Sequence, residues 1–112
     1  MSDLNSTLGG VISEARKRLG ISQKELAAKI KRAEDDQPIS AQYLNDIEHN
    51  RRSPGNDNII SQFATILDLK ESYLFFLANR VPTELRSLNP DQNAVDRFVR
   101  EAAVAFRRQS NS

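Results

Sequence analysis

Two amide side chains that can read DNA bases, Gln42 and Asn45, lie close together in this sequence. A spacing of three residues places them on one face of a helix, and an amide can hydrogen-bond N6 and N7 of adenine together. Arg51 and Arg52 follow, and their guanidinium groups can bind phosphates. Taken alone, the combination fits contact with DNA and fits equally a short amphipathic helix whose polar face is merely solvated.

The residues required for catalysis or for a metal site are missing. The chain has no cysteine and one histidine, His49, so thiolate chemistry and a zinc site lack their usual ligands. There is no glycine-rich phosphate loop and no nucleophile with a matching base. The acidic residues 34–36 suit either a weak cation site or, more simply, a solvated loop. We therefore expect no enzyme activity, no metal and no cofactor.

Length and charge narrow the class of protein further. A chain of 112 residues is expected to form one domain, or one domain with a short appendage. Its 16 lysines and arginines nearly balance 15 acidic residues, and the net charge of +1 excludes a polycation that binds nucleic acid by charge alone. The sequence shows no long apolar run and no secretion signal, so we expect a soluble, cytoplasmic protein.

Glycine and proline divide the chain into segments of helical length. Within the segments, apolar residues recur at intervals of three and four, and no alternating strand pattern is present. We predict an all-α protein with five short helices in residues 1–82. A linker with a weak helical turn over residues 84–88 and a last helix from Asp91 onward make up residues 83–112.

Local signals mark the ends of the central helices. The first helix is expected to end near Gly20. Ser22, with Glu25 three residues later, predicts a capping box at the start of the second helix. Ser40 is the expected cap of the third helix, and Asn50 is expected to follow its end in a left-handed conformation.

The lengths and caps of the second and third helices suit a helix-turn-helix, in which one helix braces the DNA backbone and the next lies in the major groove. Leu44 and Ile47 of the third helix must face the core. Asp46 would either accept from cytosine N4 or hold an arginine in a salt bridge. The positions left exposed for DNA are then Ala41, Gln42, Asn45 and Asp46.

Residues 20–27 and 39–48, the latter followed by 50–54, resemble the second helix and the recognition helix of lambda-repressor-like (Xre/Cro-type) helix-turn-helix proteins. The resemblance covers residues 8–82 and implies a compact five-helix DNA-binding domain. Gln23 resembles the glutamine with which this family contacts a phosphate. The resemblance and the positions of the side chains imply that DNA is bound by Gln23, Lys24, Ser40, Ala41, Gln42, Tyr43, Asn45, Asp46, Asn50, Arg51 and Arg52.

The turn between the second and third helices departs from the family's pattern. The usual turn has about four residues, whereas here residues 31–38 separate the two helices. Its carboxylates would repel phosphate. We expect this enlarged turn to point away from DNA, to bind something else, or to order differently when DNA binds.

The last helix carries an apolar stripe that recurs at about the heptad interval. A single helix after a linker cannot bury such a stripe by itself, so it must fold back on the bundle or pair with another chain. Dimers are common in the family, and the resemblance therefore favours a homodimer. The expected dimerisation residues are Val95, Phe98, Val99, Ala102 and Phe106.

These features predict a sequence-specific, DNA-binding transcriptional regulator, by default a dimeric repressor of a pseudo-palindromic operator. Residues 1–82 would bind DNA, and residues 83–112 would form a linker and a dimerisation helix. The expected partners are double-stranded DNA, a second copy and, through the C-terminal segment, another protein, but no membrane. The alternatives are the antitoxin of a toxin–antitoxin pair, whose tail neutralises a toxin, and an adaptor that has lost DNA binding.

Overall fold

The structure, a computed structural model, describes residues 6–110, and every regular element in this range is a helix. The all-α fold expected from the sequence is therefore confirmed. The helices, in chain order, are α1 (Leu8–Leu19), α2 (Gln23–Lys29), α3 (Ala41–Glu48), α4 (Asp57–Leu67), α5 (Glu71–Leu77), α6 (Thr83–Arg86) and α7 (Gln92–Ser110).

The chain divides into two compact units between Pro82 and Thr83. The first unit contains α1 to α5. In it α3 packs against both α1 and α2, and α4 packs against α1 and α5. The apolar side chains between these helices form one core, because each helix buries the face on which its apolar residues recur. The side chains with no exposed surface are Ile12, Leu26, Ile30, Leu44, Ile60, Phe63 and Leu74.

The ends of α1 and α2 follow the local signals in the sequence. Gly20 ends α1 with φ of 74°, a left-handed conformation that glycine adopts without steric cost. At the start of α2, the Ser22 hydroxyl accepts from the Glu25 N–H (3.0 Å) and the Glu25 carboxylate accepts from the Ser22 N–H (2.7 Å). The predicted capping box is therefore confirmed. The hydrogen bond from the Ser22 N–H also lowers the pKa of Glu25 below its ordinary value.

The enlarged turn of residues 31–38 is an ordered structure, although its sequence predicted only a polar loop. An isolated antiparallel bridge joins Lys31 to Pro38. The Gln62 side chain of α4 accepts from the Lys31 N–H (2.7 Å) and donates to the Lys31 carbonyl (2.8 Å). Within the turn, Arg32 forms an ion pair with Asp35. Of the carboxylates of Glu34, Asp35 and Asp36, that of Asp35 is thus neutralised inside the turn. This pairing reduces the repulsion that we expected the turn to exert on DNA phosphates.

A glycine sets the close packing of α1 against the end of α3. A Cβ atom at Gly9 would lie 2.3 Å from the Ile47 carbonyl oxygen and 2.5 Å from that of Glu48. Only a residue without a side chain lets the two backbones approach this closely. Gly9 therefore determines how near α3 lies to α1.

The second unit consists of the single turn α6 and the 19-residue helix α7. Asp91 caps α7 with its carboxylate, which accepts from the Ala94 N–H (2.9 Å), as its position in the sequence predicts. An ion pair between Asp96 and Arg100 links successive turns (2.8 Å). Among the helices of residues 6–110, none has the length and apolar composition that crossing a membrane requires.

Candidate nucleic-acid interface

Helix α3 is held in the first unit by its apolar face and begins with a hydroxyl cap. Leu44 and Ile47 are buried, as predicted, and the Ser40 hydroxyl accepts from the Tyr43 N–H (3.0 Å). Ala41 and Gln42 are exposed. The other two positions expected on the exposed face, Asn45 and Asp46, are half-buried, so that expectation was wrong for them. They contact polar side chains of α2 and of the segment after α3, which sequence periodicity does not reveal.

A buried ion pair anchors the end of α3 to α1. Arg16 Nε lies 2.7 Å from Glu48 Oε2, and Arg16 Nη2 lies 3.1 Å from Oε1, a bidentate geometry. The Glu48 side chain is 2% exposed and that of Arg16 is 12% exposed. Arg16 also donates to the Ile21 carbonyl (2.9 Å). The guanidinium group of Arg16 is therefore used within the fold.

The surroundings of Glu48 keep its carboxylate charged. Burial alone would raise the pKa of Glu48, but hydrogen bonds from Arg16 and Gln23 outweigh burial and hold the pKa below its ordinary value. A charged carboxylate is a hydrogen-bond acceptor only. Any amide beside it must therefore turn its NH2 group toward it.

Gln23, at the start of α2, connects this ion pair to α3. Its Nε2 donates to Glu48 Oε1 (2.9 Å) and to Asn45 Oδ1 (3.1 Å). Both hydrogens of the amide are used, and Glu48 prevents the reversed orientation of the Gln23 amide. Asn45 consequently accepts through Oδ1 and keeps its Nδ2 donors for another partner. The predicted phosphate contact of Gln23 would require one of these bonds to be exchanged.

Asp46 is the centre of a second group of hydrogen-bonded polar side chains, from α3 and from the segment after it. Its Oδ1 accepts from Gln42 Nε2 (3.0 Å), one turn earlier. The same oxygen accepts from Arg51 Nε (3.2 Å) and Nη2 (3.0 Å). Of the two roles considered for Asp46, the structure contains the salt bridge to an arginine. The bond to Asp46 uses one hydrogen of the Gln42 amide and leaves the other hydrogen and Oε1 for a ligand.

Tyr43 and Arg52 form a third group, beside the N-terminus of α3. The Arg52 guanidinium carbon lies 4.8 Å from the centre of the Tyr43 ring, a cation–π contact. The Tyr43 hydroxyl accepts from the Gly55 N–H (2.8 Å), which fixes the ring against the turn after α3. Arg52 is exposed and has no acidic partner among residues 6–110, so a phosphate can reach it.

Asn50 has the predicted left-handed conformation, with φ of 61°. Its side chain, however, is used at the start of α1. Asn50 Oδ1 accepts from the Gly9 N–H (3.0 Å), and Nδ2 donates to the Thr7 hydroxyl (2.9 Å). The sequence grouped Asn50 with the DNA-binding residues; in the structure its amide joins α1 to the end of α3.

The remaining predicted DNA-binding residue, Lys24, is exposed on α2, as are Lys17 and Arg18 at the end of α1. Sequence reasoning missed Glu48, because a glutamate inside a helix carries no local sign that it will be buried. Residues 6–110 contain no cluster of His, Cys, Asp or Glu that could hold a metal ion.

The fold and these contacts define a DNA-binding helix-turn-helix protein, with α2 and α3 as the two helices of the motif. A family model described as Helix-turn-helix matches residues 12–74, more than half of the chain. The chain belongs to the lambda-repressor-like (Xre-type) helix-turn-helix family, as the sequence motifs predicted. This is a family of DNA-binding domains of transcriptional regulators, not of enzymes. Comparisons with curated proteins and with solved structures gave no match.

Proposed function

We propose that this regulator is a dimeric repressor that places α3 in the major groove of each half of a pseudo-palindromic operator. The observation that carries the proposal is the hydrogen-bonded chain Arg16–Glu48–Gln23–Asn45, which ties α3 to the two preceding helices. These hydrogen bonds orient the Asn45 side chain of α3 before DNA is bound. Such preorganisation reduces the cost of ordering an interface on binding.

Gln42 is the adenine reader in this proposal. Its side chain is exposed, and the bond from Nε2 to Asp46 leaves Oε1 and one hydrogen available. Those two groups match N6–H and N7 of adenine. Asp46 therefore acts through Gln42, by setting the orientation of its amide.

Asn45 reads a different base in this proposal. Gln23 donates to Asn45 Oδ1, so Asn45 presents its Nδ2 donors. Two donors match the two acceptors of guanine, N7 and O6, or O4 of thymine, whereas adenine has a single acceptor, N7, beside its N6 donor. This refines the sequence-based expectation that both amides read adenine.

In this proposal, exposed cationic side chains around α3 bind phosphates and so position the protein on the DNA backbone. Arg52 and Lys24 lie beside α3 and have no acidic partner among residues 6–110. Arg51, by contrast, forms a salt bridge with Asp46. A net charge of +1 implies weak binding to random DNA. Specific binding then depends on base contacts and on joining two copies, which multiplies the affinity of one.

The experiment that tests this function is selection of binding sites from a random DNA pool with the full chain. We expect an inverted repeat whose half-sites are about 10 base pairs apart, centre to centre. The Gln42→Ala variant should lose about 1–3 kcal/mol on that site and little on random DNA. Equal loss on both would refute base reading by Gln42, and a selected site without symmetry would refute the dimer.

Phosphate contacts are distinguished from base contacts by salt. Arg52→Gln should weaken binding to every sequence alike and reduce the slope of log affinity against log salt by about 1. Gln42→Ala should leave that slope unchanged. Placing the selected site across a promoter should lower transcription in a purified system; an increase would contradict repression.

A further inference from the structure

Arg80, in the segment after α5, makes polar contacts with the turn that follows α3. Its Nη2 donates to the Ser53 hydroxyl (3.3 Å) and to the Pro54 carbonyl. Its Nη1 lies 3.3 Å from Oδ1 of Asp57, the first residue of α4. One guanidinium group thus joins the end of α5, the turn after α3 and the start of α4.

The end of α5 determines where the backbone of Arg80 lies. Asn79 has a left-handed conformation, with φ of 60°, and its N–H donates to the Phe76 carbonyl (3.0 Å). The Arg80 N–H donates to the Phe75 carbonyl (2.9 Å). These are the two hydrogen bonds of a Schellman motif, which ends a helix in a defined geometry. The backbone from which the Arg80 guanidinium group extends is therefore fixed to α5.

The turn after α3, residues 51–55, carries Arg52, to which the proposed function assigns a phosphate contact. At the end of the turn, the Gly55 N–H donates to the Tyr43 hydroxyl of α3 (2.8 Å). Arg80 holds the middle of the turn. The backbone that carries Arg52 is therefore held both by α3 and by the segment after α5.

We propose that Arg80 is a positioning residue for DNA binding: by holding the turn of residues 51–55, it keeps Arg52 where a phosphate can be bound. The inference rests on the phosphate contact of the proposed function and adds a residue that acts through Arg52. The Arg80 side chain is 24% exposed and pairs with Asp57, so its donors are used within the fold.

An arginine suits this role better than a lysine does. Its planar guanidinium group presents several N–H donors in a rigid fork, which can bind several acceptors at once in a fixed geometry. Without Arg80, the turn would sample more conformations before DNA binds. Ordering those conformations would then cost binding free energy.

The first test measures binding of full-length variants to a duplex of random sequence and to the selected operator, over a range of salt concentrations. Arg80→Gln should weaken binding to both about tenfold. It should also reduce the slope of log affinity against log salt toward that of Arg52→Gln, because the phosphate contact of Arg52 is lost. A mere loss of folded protein would leave the slope unchanged.

The matched control is Arg100→Gln in the second unit, because it also removes an arginine that is paired with an aspartate, Asp96 (2.8 Å). This variant should keep the wild-type slope. An equal reduction of the slope in Arg100→Gln and Arg80→Gln would overturn the inference, since the change in net charge alone would then explain the effect.

A double variant separates positioning from a direct contact of Arg80 with DNA. If Arg80 acts through Arg52, the double variant Arg52→Gln, Arg80→Gln should bind at most about twofold more weakly than Arg52→Gln. Additive losses, with a slope reduced by about 2, would overturn the inference in favour of a direct contact. Wild-type affinity and slope in Arg52→Gln would refute the phosphate contact of the proposed function, and this inference with it.

The conservative variant Arg80→Lys keeps the charge but replaces the fork by a single ammonium group. We expect its affinity and its slope to be reduced, as in Arg80→Gln. Recovery of both to the wild-type values would overturn the role of the guanidinium geometry.

The turn can also be observed in the absence of DNA. In NMR spectra of Arg80→Lys and Arg80→Gln, the backbone amide signals of Arg52 and Gly55 should shift, whereas those of α2 should stay in place. Unchanged signals in the turn would overturn the positioning role of Arg80 and leave the phosphate contact of Arg52 intact.

Discussion

Helices α3 and α7 are both amphipathic, but they differ in how far their apolar and charged side chains are exposed. On α3, Leu44 and Ile47 are buried in the core, and Glu48 is fully paired beneath the polar surface. On α7, Phe98 and Val99 remain more than half exposed, and the ion pair between Asp96 and Arg100 lies in solvent. A similar spacing of apolar residues is thus buried in α3 and exposed in α7.

The difference affects how well the side chains of each helix are oriented before a partner binds. Because α3 is held by α1, by α2 and by the turn after it, its polar side chains already have defined orientations and can select a base. An exposed apolar face such as that of α7 gains stability only when it is covered. We propose recognition of DNA for α3 and assembly for α7, so substitutions in the two helices should have different effects.

The largest expected effect is the loss of the buried carboxylate beneath α3. Glu48→Ala leaves the Arg16 guanidinium group without its partner inside the fold, and should lower the free energy of unfolding by about 3 kcal/mol. The control on α7 is Asp96→Ala, which removes an exposed ion pair and should change that free energy by less than about 1 kcal/mol. Denaturant unfolding measures both; similar losses would contradict the contrast between the helices.

A smaller loss is expected where α1 meets α3. Gly9→Ala forces a methyl group against the Ile47 carbonyl, 2.3 Å away, and should cost about 1–3 kcal/mol of folding free energy. Gly10→Ala is the matched control, because its Cβ would meet only the Thr7 hydroxyl, at 3.1 Å. Thermal unfolding should separate the two variants. If both unfold at the same temperature, α3 does not depend on this close approach.

The acid sensitivity of the fold should follow Glu48. Its pKa is lowered in the folded state, so its contribution to stability is complete above the ordinary glutamate pKa, about 4.3, and is lost as the pH falls through the lowered folded value. Glu48→Gln should be less stable than wild type at neutral pH, and the difference should shrink below about pH 4. A constant difference between unfolding free energies from pH 7 to pH 3 would contradict the role of the carboxylate charge.

The smallest of these effects should come from the capping box of α2. Ser22→Ala removes the acceptor of the Glu25 N–H, and should cost about 1 kcal/mol. Ser72→Ala, near the start of α5, is a suitable control, because the cap of that helix makes no side-chain hydrogen bond. Chemical denaturation of both variants, compared with wild type, tests whether α2 depends on its cap.

Local features of this fold were predictable from the sequence, and long-range polar contacts were not. Gly20 and Ser22 act on residues a few positions away, and the left-handed conformation of Asn50 is a local property, so their types and spacing sufficed to predict helix ends. The bond of the Asn50 side chain to Gly9, 41 positions away, was not predicted. Arg16 and Glu48 are 32 positions apart, and nothing near either residue indicates the other. Sequence reasoning therefore could not predict this ion pair.

The candidate site shows the same division. The face of α3 follows from its apolar period, so Ala41 and Gln42 were correctly expected to be exposed. The burial of Asn45 depends on Gln23, which comes from another helix, and the order of the enlarged turn depends on Gln62 of α4. Periodicity within one helix cannot report contacts made by a neighbour.

We propose that the hydrogen-bonded chain from Arg16 to Asn45 sets which base α3 reads, and one binding measurement tests this directly. Asn45→Asp keeps an acceptor for Gln23 but presents oxygens to the groove instead of donors. With four operators that differ only at the base pair read by residue 45, wild type should prefer guanine or thymine, and Asn45→Asp should prefer cytosine, whose N4 is a donor. An unchanged order of affinities among the four operators would contradict the account.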